Sequence, residues 1–390
     1  MKRFFKIVNV FLNSKYIFSI PKNKEVLIFD DISFNEIKHV FVNFNYEILQ
    51  TRINNISKIY VSPRIIFNAI KNYKGNILSS YLISLIQTIK PKVVFTFIDN
   101  SYKFSEVAKT LHKDIKFVAL QNGARYEILE NSLLYKKRII DKNINNSFFI
   151  PNFFCFGETE INDYKKHKIK VNKFFKVGCL RLENYLKYKK KYKKKIQKKY
   201  DICLLSEVGS WSQFLNNKEL KSKFALLAKY CIKFSMKNKK KIVLSFKRKK
   251  TNIEAFKEEQ DFYKEFLTKN EYNFLKKKFF LKSSKFGTYQ KMDQSKVVVG
   301  TMSTLLRENL RMGGKSFVCN LTNNKIFNFP IKGDYFVKKK NYSYFENKLF
   351  KLLKTNPKNY SKKLKINDLI SNLNTSELIT KNLKRMINLK

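Results

Sequence analysis

The chain has 390 residues and carries 81 Lys and Arg against 30 Asp and Glu, a formal net charge of +51. A hydrophobic content of 44% with 15% aromatic residues excludes a disordered chain, and the length suffices for two core-bearing domains. Five cysteines without a CxxC pair and three scattered histidines argue against a disulfide scaffold or a zinc site.

Two readings account for the charge. Lys, Asn, Ile, Phe and Tyr are abundant while Gly, Pro and Trp are few, which is the profile of an AT-rich genome. The other reading is an anionic partner, such as nucleic acid, a phospholipid surface or a phosphate-bearing substrate. The basic, aromatic N-terminus is interrupted by Asn9, Asn13, Ser14 and Lys15, with no small-residue cleavage site after it, so a signal peptide is not expected. No run reaches the ~20 apolar residues that span a bilayer. The expected location is cytoplasmic, at most peripheral at the inner face of the membrane. Residues 2–13 are a candidate interfacial helix.

Strand-like and helix-like segments alternate from the start. Val26 to Phe29 reads as a strand ending at Asp30-Asp31, and Tyr46 to Leu49 as another. Helical character follows at Ile65 to Lys71 and Ser79 to Ile89. Lys92 to Ile98 is a strand ending at Asp99-Asn100-Ser101, followed by a helix from Lys103 to His112. Ile115 to Leu120 is a strand ending at Gln121-Asn122-Gly123-Ala124-Arg125. Asn152 to Phe156 and Phe174 to Cys179 add two more, with a short helix from Gly157 between them. Helices between strands imply parallel pairing.

The lysine-dense run Lys187 to Tyr200 repels itself and buries little, so it reads as a linker. The alternation then restarts. Asp201 to Leu205, Lys241 to Phe246 and Phe279 to Lys282 are strands, with helices at Leu220 to Lys237 and Ile253 to Leu267. Met292 to Ser295 reads as a short turn of helix. The segment Lys296 to Asn320 is a βαβ unit: Val297-Val298-Val299 ends at Gly300, a polar turn leads into a helix, and Gly313-Gly314 stops it before Ser316 to Cys319. The expected division is residues 1–186 as an N-terminal Rossmann-like acceptor domain and 187–200 as linker. Residues 201–355 form a C-terminal nucleotide-donor domain, and 356–390 closing helices.

The βαβ turn is the strongest chemical signal. Small residues between a strand and a helix expose N–H groups at a positive helix end, which suits phosphate. Ser303, Thr304 and Glu308 are the candidate donor-binding residues there. Gly209 and Ser210 after one strand, and Lys247 and Arg248 after the next, complete the set; a guanidinium suits a diphosphate. Each has a plainer reading. Ser303 serves equally as an N-cap worth ~1 kcal/mol, Lys247 and Arg248 as solvated surface, and Glu308 as a partner of Arg311 or Lys315. In the first half Asp99 is the candidate general base, with an N-cap for the next helix as its alternative. Gln121, Asn122 and Arg125 are candidate acceptor-binding residues. No Ser-His-Asp set, Cys-His pair, Walker loop or GxGxxG appears, so neither a metal nor a cofactor is expected beyond a nucleotide-activated donor acting as substrate.

The segments PKVVFTFIDNSYKFSEVAK, VALQNGARYE, FFCFGETE, VGCLR, DICLLSEVGSW and VVVGTMSTLLRENLRMGGKSF, in that order, resemble GT-B-type bacterial surface-polysaccharide transferases. The chain is similar, more distantly, to capsule Kdo transferases and to CDP-glycerol glycerophosphotransferases of teichoic acid synthesis. The resemblance spans most of residues 25–355. It implies an α/β fold of two Rossmann-like domains facing across a cleft, with C-terminal closing helices. It also implies donor contacts at Ser303, Thr304, Glu308 and Arg248. Many relatives carry a histidine in the Gln-x-Gly turn, where this chain has Asn122, which leaves Asp99 as the candidate base.

The expected function is a glycosyltransferase moving a sugar from a nucleotide-activated donor to a surface glycan or lipid-linked acceptor. The alternatives are a polyol-phosphate transferase of the CDP-glycerol type, a non-enzymatic nucleic-acid binder and a sugar-nucleotide epimerase. Nucleic acid is the weaker partner, since the lysines spread along the whole chain and no recognition motif appears.

Overall fold

The computed structural model describes residues 8–10, 12–52, 56–73, 75–124, 148–166, 169–192, 196–207, 218–249, 252–282, 284–362 and 364–388, with the backbone alone at 219–220, 248–249, 281–282 and 326. The chain divides into two compact units. Residues 1–122, 136–183 and 372–390 form the first, and residues 123–135 and 184–371 the second.

In the first unit, β1 (Lys15–Ile17) and β4 (Lys58–Tyr60) make a small parallel pair. The main sheet has six strands: β2 (Val26–Ile28), β3 (Tyr46–Ile48), β5 (Val93–Thr96), β6 (Lys116–Leu120), β7 (Phe149–Cys155) and β8 (Lys170–Lys176). Their order is β3-β2-β5-β6-β7-β8 and every neighbouring pair is parallel. Both faces are covered, which is why these strands read as continuous apolar runs. Val26, Ile28, Val93, Phe95, Val118 and Leu120 belong to one core. Their neighbours Leu27, Phe29, Val94, Phe117 and Ala119 belong to the other. Helices Ile77–Ile89 and Tyr102–Leu111 pack on the latter side. Asn76 and Ser101 cap them, accepting the N–H groups of Ser79 at 3.2 Å and Phe104 at 3.3 Å.

The last helix, Thr375–Asn388, seals the opposite face with Ile379, Leu383, Met386 and Ile387. Each such burial stabilises by on the order of 2 kcal/mol. The expected grouping of 356–390 as one closing segment therefore divides, because residues 372–390 belong to the first unit. The returning chain is fastened at its entry. Gly178 has φ +90°, and a Cβ there would lie 2.1 Å from the Asn372 carbonyl oxygen. Glu183 accepts both the N–H and the hydroxyl of Ser376, at 2.6 and 2.7 Å.

The second unit has its own six-stranded parallel sheet: β9 (Tyr200–Leu205), β10 (Ile242–Lys249), β11 (Phe279–Lys282), β12 (Ser295–Gly300), β13 (Ser316–Cys319) and β14 (Phe336–Val337). The order is β11-β10-β9-β12-β13-β14. Lys315, buried at the entry to β13, donates to the carbonyls of Leu352, Leu353 and Thr355 at 2.7, 3.1 and 2.8 Å. It thus caps the C-terminal end of helix Tyr342–Lys354, and burial lowers its pKa to about 8.

Several boundaries differ from expectation. The expected linker is helical through Lys191, because helix Leu180–Lys191 carries on into the lysine run. The turn of helix expected at Met292 to Ser295 is helix Gly287–Asp293, and Ser295 already opens β12. β10 runs on to Lys249, so Lys247 and Arg248 lie within the strand and not after it. The short elements β1, β4, β14 and helix Lys269–Lys276 carry too few residues for a periodic signal. All five cysteines are buried and none forms a disulfide. Among the described residues there is no cluster fit to hold a metal, and no helix is long and apolar enough to cross a membrane.

Candidate functional site

In an open parallel sheet the strand order reverses at one point, and loops leaving the two strands there diverge to opposite faces. The opening between them is where such folds bind ligands. In the second unit the reversal falls between β9 and β12, adjacent in the sheet yet far apart in sequence.

Glu207 follows β9 and turns its carboxylate into the β12 turn. Its Oε1 accepts the N–H of Thr301 at 3.0 Å, of Met302 at 3.0 Å and of Ser303 at 2.8 Å, and Oε2 accepts Met302 at 3.1 Å. Gly300 allows this approach, since a Cβ there would stand 2.9 Å from Glu207 Oε1. Burial raises the Glu207 pKa, and the N–H bonds and then Lys247 pull it back down in part. The turn expected from the sequence to hold a phosphate holds an internal carboxylate. Glu207 was not among the expected site residues. Its only local signal is the one that marked Asp99, an acid just after an apolar strand.

The expected donor residues surround this turn. The Ser303 hydroxyl caps the following helix, Thr304–Arg311, by accepting the Leu305 N–H at 3.3 Å. The Thr304 hydroxyl accepts the Ala124 N–H at 2.9 Å, in the segment from Gly123 that belongs to this unit. Glu308 lies one turn on and is buried, beside the fully buried Arg307. Lys247 donates its main-chain N–H to the buried Glu259 at 3.0 Å and leaves its side chain exposed. The Arg248 side chain, Gly209, Ser210 and Arg125 lie outside the described residues. A cavity of about 460 Å³ reaches Glu207 and Thr301, with Leu205, Phe224, Phe262 and Tyr263 among its walls. That volume suits a small organic ligand.

The first unit reverses between β2 and β5. Asp30 follows β2, is buried, and accepts Arg52 Nε at 2.8 Å, the Ile32 N–H at 3.0 Å and the Thr51 hydroxyl at 3.4 Å. Asp99 is fully buried and accepts the Asn122 N–H at 3.3 Å. The Gln121 side chain turns into the fold and accepts the Phe156 N–H at 2.7 Å. Asn122 is half-buried; its carbonyl accepts Arg181 Nη1 at 2.9 Å. Arg181 also pairs with Glu36 and lies over the Phe97 ring at 5.3 Å. As placed, Gln121 holds the neighbouring strand end and Asp99 holds the Asn122 turn.

The sequence matches no protein-family model and no curated protein. Solved structures match in fold. The UDP-GlcNAc 2-epimerase of Methanocaldococcus jannaschii, in complex with UDP-GlcNAc and UDP, superposes with a TM-score of 0.56 at 14% identity, covering 92% of this chain and 99% of that one. The UDP-GlcNAc 2-epimerase of Neisseria meningitidis bound to UDP-GlcNAc gives 0.51 at 13% identity, over 92% and 99%. A variant of the wall teichoic acid polymerase TagF gives 0.50 at 10% identity, over 98% and 93%. The fold is accordingly that of the GT-B proteins, two parallel-sheet Rossmann-like domains.

Proposed function

We propose that the chain is an enzyme that transfers a group from a nucleotide-activated donor, as a glycosyltransferase of surface-polysaccharide synthesis or a polyol-phosphate transferase. The observation that carries this reading is the β9/β12 reversal. There a glycine-backed turn gathers three main-chain N–H groups beside a cavity of about 460 Å³. The likeness in fold to proteins named as bound to UDP-GlcNAc, and to one named a wall teichoic acid polymerase, supports a nucleotide-linked substrate. The acceptor is proposed to be a glycan or lipid-linked glycan.

In this reading Glu207 is a positioning residue. Its carboxylate fixes the Thr301–Ser303 turn, so that the helix start and Ser303, Thr304 and Glu308 meet the donor from a rigid base. Asp99 likewise acts through Asn122 on the acceptor side, since its fully buried carboxylate accepts the Asn122 N–H. With the N–H groups of the Thr301–Ser303 turn taken by Glu207, it is the Ser303 and Thr304 hydroxyls, held in place by the Leu305 and Ala124 N–H groups, that donate to charge developing on a leaving phosphate.

A second reading, a sugar-nucleotide epimerase, is supported by the fold likeness to two such enzymes. The experiment is a thermal-shift screen of UDP-, CDP- and CMP-linked donors. At least one donor is expected to raise the melting midpoint, and Ser303→Ala with Glu308→Ala to abolish the shift. No shift with any donor would sink the reading. Free nucleotide released only when a glycan acceptor is added marks the transferase; turnover of the donor without acceptor marks the epimerase.

A further inference from the structure

Helix Pro63–Lys71 of the first unit, PRIIFNAIK, is turned the wrong way for a core helix. It buries Ile65 alone. Ile66, Phe67 and Ile70 are 47%, 68% and 70% exposed. At 100° per residue these three and Pro63 fall within an arc of about 100°, with Arg64 and Lys71 on its border. The carbonyl of Ile17, at the end of β1, accepts the Val61 N–H at 2.9 Å, just before this helix. The exposed Phe18 and Ile20 follow β1 on the chain just beyond this bond.

The charge carried by these segments themselves is of one sign, while Asp31 and Glu47 share a pocket with Lys58 and Tyr60. No Asp or Glu occurs before Glu25 or between Glu47 and Asp99. Lys15, Lys22, Lys58, Arg64 and Lys71 are all exposed in these same stretches. A solvated surface needs no such row of aliphatic side chains. A second copy of the chain would bring an equally cationic face against this one, under a net charge of +51. Nucleic acid would meet the cations and leave the isoleucines unmatched.

We propose that this face docks on the surface of a bilayer containing anionic phospholipid. Ile66, Phe67 and Ile70 enter the headgroup–acyl boundary, and the flanking Lys and Arg side chains meet lipid phosphates. The helix is a different stretch of the chain from residues 2–13 and from the Lys187 to Tyr200 run that the sequence singles out. It does not depend on the donor reading, since its test measures lipid binding and not turnover.

The test is flotation of the full chain with vesicles of phosphatidylcholine containing about 30% phosphatidylglycerol, against phosphatidylcholine alone. The protein is expected to float with the anionic vesicles, and about tenfold less with the neutral ones or at high salt. Ile66→Glu with Ile70→Glu is expected to lower binding by about tenfold or more without moving the melting midpoint. Lys358→Ala with Lys362→Ala, which removes the same charge from the second unit, is expected to change binding less than about twofold. If the glutamate pair melts early, Ile66→Ser with Ile70→Ser is the deciding variant. Unchanged flotation of the folded variant would overturn the proposal, as would equal binding to neutral vesicles. So would a wild-type dimer that the variant converts to monomer, with no vesicle binding by either.

Discussion

At the β2/β5 reversal of the first unit Asp30 holds a side-chain cation, Arg52 Nε, at 2.8 Å. At the β9/β12 reversal of the second unit Glu207 holds three main-chain N–H groups at 2.8 to 3.0 Å. Both acids follow the first strand of their sheet and both are buried. Their partners differ in what they can do. Arg52 is 46% exposed and can leave for water or for an incoming anion. The amides of Thr301, Met302 and Ser303 belong to the main chain and cannot swing away if the carboxylate goes. The first carboxylate is thus one half of an exchangeable ion pair, and the second is an internal brace.

The sharpest way to break this comparison is to delete both acids. Glu207→Ala leaves the buried N–H groups of Thr301 and Met302, and the half-buried one of Ser303, without their acceptor, at ~1–3 kcal/mol for each buried group. With partial relaxation the expected loss is about 4 kcal/mol in urea unfolding. Asp30→Ala is expected to lose only about 1 kcal/mol, since the half-exposed Arg52 regains water, and less still in high salt. Equal losses, or a larger loss at Asp30, would erase the distinction.

The smallest effect is the pH dependence, and it sharpens the comparison. The folded pKa of Glu207 is raised above 4.5 by burial. The fold therefore favours its protonated form, and that contribution is complete below about pH 4.5 and lost as pH rises through the folded value. Glu207→Gln keeps an acceptor but cannot titrate. The stability of the wild type relative to Glu207→Gln is expected to decline as pH rises from about 4.5. A flat difference across that range would mean that the N–H groups outweigh burial.

The periodic elements were legible. Val297-Val298-Val299 before Gly300, and Lys92 to Ile98, announce buried parallel strands because their apolar character is continuous. The restart after Tyr200 marked the second sheet. The turn from Thr301 to Ser303 was legible as a cluster of main-chain N–H groups at a helix start. What occupies it was not legible, because Glu207 lies 94 residues from Thr301 and reaches it only through the pairing of β9 with β12. The Gln121 contact was not legible for a similar reason: a polar residue at a strand end looks the same in sequence whether or not its carbonyl accepts, as here, the N–H of Phe156. The outward Ile66, Phe67 and Ile70 also read as ordinary helical periodicity.

By itself the sequence determined the alternation of strands and helices, the α/β class, the division into two Rossmann-like halves and the anion-seeking turn. These rest on side-chain period and turn chemistry within a few residues, which local sterics and hydrogen bonding decide. Tertiary structure alone decided the strand order and therefore where each sheet reverses. It also decided that residues 372–390 join the first unit, that Glu207 fills the amide turn, and that one helix faces Ile66, Phe67 and Ile70 to solvent. Those outcomes depend on which distant surfaces bury one another, and no local pattern in the chain encodes that choice.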